Sequence, residues 1–315
     1  MAGWYDNYPG ATFRYFDLLR QVGATDEIRI VVSPSDHLNR VVETRDFGED
    51  AAKDEVALAI RWLDHVVRGI DTGIEHERPV RFFTMGSNTW QSSDAWPPAG
   101  TEFVRYHLRG DGSGEVGELR PQAPAGETPT TFRYDPEDPV PSIGGNHSAP
   151  FEAGAFDQRP NEARPDVLVY STPPLAESLE VTGPIAVHLW ASTTALDTDF
   201  VARLIDVHPD GTAYNLTEGI LRGRFHRSIW EPPELLEPGR VYEFVVELQP
   251  SSNVFLAGHR IRLQVTSSGF PMWDRNPNTG AEQGTDTVTR PCEQTIYHDA
   301  SHASHVLLPV RRPGS

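Results

Sequence analysis

The 315-residue chain predicts an α/β segment followed by an all-β jelly-roll sandwich. Helical periodicity is confined to roughly the first 70 residues. Beyond residue 79, short runs rich in Val, Ile, Phe, Tyr and Thr recur between Pro, Gly, Asp and Asn, the pattern of antiparallel strands and turns. The length exceeds one ordinary small domain and suits two.

Taken in order, Gly3-Trp4-Tyr5-Asp6 reads as a turn that ends at Tyr8-Pro9-Gly10. Phe13, Phe16, Leu19 and Val22 lie three apart on one side of a helix that Gly23 is placed to stop. Residues 28–32, Ile-Arg-Ile-Val-Val, form a short apolar strand leading to His37. With no neighbour apart from the stub at Met1-Ala2, that strand would carry open edges. Residues 1–70 are therefore expected to be loosely packed or poorly soluble unless a partner completes them. The clearest helix covers residues 50–68, where Val56, Ile60, Leu63 and Val67 keep the 3.6-residue period. Asp54 and Glu55 near its start and Arg68 near its end suit the helix dipole, and Gly69 terminates it.

Residues 71–78 are polar and read as a linker, dividing the chain into 1–78 and 79–315. Strands follow at 80–85, 167–170, 185–190, 241–246, 261–265 and 306–310, several alternating apolar and polar. Residues 109–130, rich in Gly, Pro and Glu, read as a mobile loop.

A formal net charge of −18 argues against nucleic acid and anionic membrane as partners. No apolar run approaches bilayer-spanning length. The single cysteine, Cys292, excludes an intramolecular disulfide and fits a reducing compartment. No signal-peptide pattern opens the chain. A cytoplasmic location is expected, with export left open because the reading places further chain upstream of Met1.

Asp6 and His37 are candidate acid and base of a serine-hydrolase triad. The imidazole would take the hydroxyl proton, and the carboxylate would fix its tautomer and stabilise the imidazolium. In α/β-hydrolases the triad runs Ser, Asp, His along the chain, so the serine is expected before Met1. On spacing alone, a turn aspartate and a surface-loop histidine are the favoured reading.

The wording around these residues resembles the second half of the cocaine-esterase/X-Pro dipeptidyl-peptidase family of hydrolases. The resemblance rests on Gly3-Trp4-Tyr5-Asp6 with the Pro-Ser-Asp-His loop, and on Phe83-Thr84-Met85-Gly86-Ser87-Asn88-Thr89-Trp90, which is similar to the family's first jelly-roll strand. Tyr134-Asp135-Pro136-Glu137-Asp138-Pro139, Phe156-Asp157-Gln158-Arg159-Pro160, Thr198-Asp199-Phe200-Val201-Ala202-Arg203 and Ser252-Asn253-Val254-Phe255-Leu256-Ala257-Gly258-His259 extend it, as do Phe270-Pro271 and Asp274-Arg275-Asn276. It implies an α/β-hydrolase C-terminal remnant followed by a jelly-roll (galactose-binding-like) sandwich that lends a wall to the active site. By position it implies Asp6 and His37 as catalytic residues. Tyr8 and Phe151 become substrate-binding residues, Phe151 on a loop over 146–156. The implied substrate is a small ester or an amide or peptide, with no cofactor and no metal.

Two departures stand out. The family's Gly-Pro-Trp-x-His loop reads Ser33-Pro34-Ser35-Asp36-His37, which implies looser packing beside the imidazole. No Gly-x-Ser-x-Gly nucleophile turn is present, and the nearest string, Gly112-Ser113-Gly114, falls in a polar loop. The chain alone is thus expected to be inactive, needing a nucleophile half in cis or in trans. The alternatives are a non-catalytic jelly-roll binding module and the complementing subunit of a split hydrolase. His298, His302 and His305 read as structural, without the carboxylate or cysteine that would complete a metal set. Asp197, Asp199, Asp206 and Asp210 lack EF-hand spacing and read as solvated or turn carboxylates.

Overall fold

The computed structural model describes residues 1–23, 27–110, 116–148 and 151–312. The chain is mostly β-sheet. A first sheet has the order β1 (Ala2–Gly3), β2 (Ile30–Ser33), β3 (Val80–Thr84), β4 (Thr89–Ser93). The first two pairings are parallel and the last antiparallel. One expectation changes here. β2 is paired on both edges, by β1 and β3, rather than open. Hydrogen bonding along this sheet runs across the boundary expected at 78/79 as far as Ser93. Within the polar 71–78 stretch, Ile74 is buried.

Helix α1 (Pro9–Gln21) starts with Pro at its first turn and buries Phe13 and Phe16. Leu19 and Val22 stay exposed, so only half of the predicted stripe is used. Helix α2 (Glu55–Arg68) begins later than expected, capped by the Asp54 carboxylate on the Ala57 amide and ended by Gly69 in the left-handed conformation. Its periodicity is as read, but the apolar face is uncovered: Val56, Ile60, Leu63 and Val67 are all exposed, Val67 at 73%.

The remaining strands form a β-sandwich. They are β5 (Glu102–Arg109), β6 (Gly117–Arg120), β7 (Thr130–Tyr134), β8 (Leu168–Ser171), β9 (Leu179–Thr193), β10 (Asp199–Val207), β11 (Ala213–Arg222), β12 (Tyr242–Phe255), β13 (Arg260–Thr266), β14 (Cys292–Ile296) and β15 (His305–Arg311). Their order is β11-β10-β13-β8-β6-β5-β15-β9-β14-β7, with β12 on β9, and every pairing but β6/β8 is antiparallel. β6 corrects the reading of 109–130 as a mobile loop: Leu119 is fully buried between β5 and β8. Gly112-Ser113-Gly114 lies outside the described residues.

One core joins the two sheets. Trp4, Phe13, Ile30, Val32 and Phe82 belong to the same buried cluster as Leu189, Phe200, Phe244 and Phe255. Trp96 stacks on Phe13 at 4.1 Å and lies edge-on to Phe82 at 5.4 Å. The Met85 backbone exchanges hydrogen bonds with Ser252 and Val254 of β12. The described residues of 1–70 are therefore anchored on the sandwich rather than loose, although the apolar face of α2 and Leu19 and Val22 near the end of α1 are left without cover. Among the described residues no helix is long and apolar enough to cross a membrane. Cys292 is buried and its thiol is pushed up to about 11 by burial.

His298 is wholly buried, with its ring within hydrogen-bonding reach of the Thr130 and Tyr170 hydroxyls. Burial pushes its pKa down from 6.5 to about 4. Between those values the unfolded chain binds the extra proton, so stability is lost as pH falls from 6.5 toward 4. The expected loss from this group is about 3 kcal/mol by pH 4. Urea unfolding at pH 7 and pH 4.5 checks it, with His298→Gln expected to flatten the slope.

Candidate active site

The Gly-Trp-Tyr-Asp turn is built by the edge of the first sheet. The Trp4 amide donates to the Ser33 carbonyl at 2.8 Å and the Tyr5 amide to the Ser35 carbonyl at 3.1 Å, running the turn beside the histidine loop. Gly3 permits that approach, since a Cβ there would lie 2.0 Å from the Ser35 carbonyl oxygen. The Trp4 indole donates to the Phe83 carbonyl, fixing the turn to β3. Lys53 reaches under the sheet to the Ala2 carbonyl and the Ser33 hydroxyl.

These anchors bring the two predicted residues together. His37 Nδ1 stands 2.9 Å from Asp6 Oδ1, which also accepts from the Asn7 amide at 2.7 Å. Asp6 is nearly buried, whereas the His37 side chain is 43% exposed. Holding Nδ1–H on the carboxylate leaves Nε2 as the free basic nitrogen. His37 lines a cavity of about 420 Å³ together with Leu38, Val42, His147, Ser148 and Phe151. The Tyr8 ring lies 5.4 Å from the imidazole. Tyr8 and Phe151 are both exposed aromatics; Phe151 lines the same cavity as His37, whereas Tyr8 is not among its lining residues.

The histidine loop is not loosened by the missing tryptophan. Asp36 Oδ1 accepts from the Leu38 and Arg40 amides, and Oδ2 takes the Arg40 guanidinium at 2.7 Å. Asn39 adopts φ 61°, closing the turn. A polar lacing thus replaces the packing of a ring.

Sequence reading missed Asn146. Its buried side-chain amide donates to the carbonyls of Trp4 and Asp6, so a loop of the sandwich grips the turn that carries the acid. Gly145 and Gly154 pin the base of that loop with two backbone hydrogen bonds. Gly145 has φ 100°, and a Cβ there would meet Glu218 Oε1 at 1.9 Å. Only these glycines hinted that the loop doubles back so tightly.

The aspartates read as solvated are mostly buried and paired. Asp197 holds Arg224 at 2.7 Å and Asp199 holds Arg222 at 2.9 Å, with Asn276 bridging both carboxylates. Asp210 alone keeps the expected role, accepting from Thr212 in an exposed turn. Asp206, His208 and His259 are close enough to share a metal ion. However, Asp206 already accepts from His259 at 2.8 Å, and the Arg45 guanidinium lies 3.4 Å from its other oxygen. That fixed positive charge fills the place of a cation and makes the cluster a clamp between the histidine-loop segment and the sandwich.

A family model described as the X-Pro dipeptidyl-peptidase C-terminal non-catalytic domain matches residues 72–307. The chain is 37% identical over 323 residues to a cocaine esterase from Rhodococcus sp., covering 98% of this chain and 55% of that protein. An aminopeptidase from a marine-sediment Thaumarchaeota archaeon has a similar structure, with a TM-score of 0.82 and 27% identity over 98% of this chain and 54% of that one. An α-amino acid ester hydrolase superposes with a TM-score of 0.79, also at 27% identity, over 98% and 54% of the two chains. The chain spans about half the length of the curated relatives it matches.

Proposed function

Since this chain belongs to the cocaine-esterase/X-Pro dipeptidyl-peptidase family of hydrolases, we propose that it supplies the acid, the base and one wall of a serine acyl hydrolase acting on small esters or amides. The observation that carries this reading is the 2.9 Å contact between Asp6 and His37 at the edge of the 420 Å³ cavity. His37 Nε2 removes the proton from a serine hydroxyl as it attacks the acyl carbon, then returns it to the leaving group. Asp6 holds the ring tautomer and stabilises the imidazolium. Tyr8 and Phe151 offer apolar faces to the acyl or leaving group. The matched family model is described as non-catalytic, which suits a sandwich that shapes the cavity without supplying reacting groups.

In this reading β1–β3 and α2 are the last part of an α/β-hydrolase sheet. The nucleophile half, in cis or in trans, pairs along the free edge of β1 and covers Val56, Ile60, Leu63 and Val67 of α2. Burying such an apolar stripe contributes about 25 cal/mol per Å². The chain alone has no Gly-x-Ser-x-Gly turn and hydrolyses nothing.

Joining or mixing the chain with a nucleophile-bearing segment from a relative tests this. Hydrolysis of a p-nitrophenyl ester is expected only in the assembled protein, and it should vanish with His37→Ala. Equal turnover by the isolated chain, or an assembled enzyme indifferent to His37→Ala, would refute the assignment.

A further inference from the structure

The lysine under the first sheet is the least expected residue of that segment. Lys53 lies in the turn before α2, and its side chain is only 5% exposed. Taking an ammonium out of water is costly unless partners hold it. Nζ donates to the Ala2 carbonyl at 3.1 Å and to the Ser33 hydroxyl at 2.8 Å, and Glu55 Oε1 stands 3.2 Å away as counter-charge. Burial lowers the pKa of Lys53, and Glu55 works against that fall.

These partners sit where the two loops of the candidate site begin. Ala2 belongs to β1, which runs into the turn carrying Asp6, and the Asp6 amide donates back to the Gly3 carbonyl at 3.1 Å. Ser33 closes β2, which runs into the loop carrying His37. Ser33 Oγ lies 2.8 Å from the buried Ser35 Oγ, two residues before His37. Glu55 opens α2. One ammonium thus joins the strand before the acid, the strand before the base and the first turn of the helix. β1 and β2 share only two register pairs, Ala2 with Val32 and Gly3 with Ser33. So short a ladder leaves the relative placement of the two loops to few contacts. Hydrogen bonds from a buried charge are the stronger kind, so these two count heavily there.

We propose that Lys53 is a positioning residue for the acid–base pair, its ammonium setting the separation of Asp6 and His37 by tying β1 to the end of β2. It bonds to neither member of the pair and acts through the strands that carry them. The inference rests on the hydrolase reading, in which His37 keeps Nδ1–H on Asp6 so that Nε2 can take the serine proton. Moving either loop away by about 1 Å would stretch the 2.9 Å contact beyond hydrogen-bonding range.

The tautomer of His37 reports that geometry in the chain by itself, with no nucleophile half and no substrate. Proton–nitrogen correlation NMR of the imidazoles, above neutral pH, reads it. In the wild type the Nδ1–H tautomer of His37 should dominate, and Asp6→Asn should abolish that dominance. Lys53→Met, close in volume and uncharged, should lower the ratio of Nδ1–H to Nε2–H by about tenfold, as on losing one hydrogen bond to a charged group. The imidazole shifts of His259 and His298 in the sandwich should stay at their wild-type values. A His37 tautomer unchanged in folded Lys53→Met overturns the role of Lys53 and leaves the Asp6–His37 pair standing. A wild-type ring with no preference for Nδ1–H overturns the pair, and the positioning role falls with it. Where His259 and His298 move too, Lys53→Met has lost the fold and Ser33→Ala decides, since it keeps the charge and removes one of its acceptors. Ser33→Ala should shift the ratio in the same direction by a smaller factor, and an unchanged ratio overturns the proposal.

Discussion

Asp6→Asn in the assembled hydrolase is expected to lower kcat by about 10⁴ while leaving the fold unchanged. The amide is isosteric with the carboxylate, but Oδ1 meets both the Asn7 amide and His37 Nδ1, so an NH₂ group placed there gives up the Asn7 contact. Its NH₂ group, turned to His37 Nδ1, would favour the tautomer that carries the proton on Nε2. That tautomer cannot accept the serine proton, and no anion remains to stabilise the imidazolium. Asp36, the neighbour of His37 in sequence, does not substitute for the lost charge, because it is committed to Arg40 and two backbone amides. Steady-state kinetics on a saturating ester, with circular dichroism on both proteins, checks the result. A loss smaller than about tenfold would show that Asp6 is a turn residue and that His37 is oriented by something else.

The Asp6–His37 contact could be anticipated from the chain because Gly3-Trp4-Tyr5-Asp6 and the Pro-Ser-Asp-His loop resemble the family's wording, each in a short loop after a strand. Local periodicity likewise revealed α1, α2 and five strands of the sandwich, β8, β9, β12, β13 and β15, but not β5, β6, β7, β10, β11 or β14. Partners distant in sequence were not legible. β3 and β2 are separated by a helix, and nothing in Val80–Thr84 says that it joins a parallel sheet rather than the sandwich. α2 shows the same limit from the other side: a 3.6-residue stripe reports what could be buried, whereas Val67 is exposed in this chain. Asn146 was hidden because one amide holding two carbonyls 140 and 142 residues away leaves no local pattern. The aspartates of β10 and its approach were misjudged because Asp is ordinarily a surface residue, and their arginine partners lie 23 and 27 residues further on.

The largest stability effect is expected from Glu218→Ala, at about 3–5 kcal/mol. Arg203 and Glu218 face each other across β10 and β11, each side chain only 2% exposed, joined by an Nε to Oε2 hydrogen bond of 2.7 Å. Removing the carboxylate leaves a guanidinium buried with no counter-charge, beside Trp273 and the Gly269 backbone. Desolvation of that charge dominates over the loss of one hydrogen bond. Replacing both partners, as Arg203→Met with Glu218→Leu, removes the charge as well as the pair and should recover most of the loss. Urea unfolding of the wild type, the two single variants and the double variant closes the cycle. Additive single losses would mean that the pair is not coupled. The consequence reaches the Asp6–His37 pair, because Glu218 Oε1 packs against Gly145 at the root of the loop that carries Asn146. Loosening that contact frees the grip of Asn146 on the Trp4 and Asp6 carbonyls. In the assembled enzyme Glu218→Ala should therefore cost turnover as well as stability, and the double variant should regain stability before it regains rate.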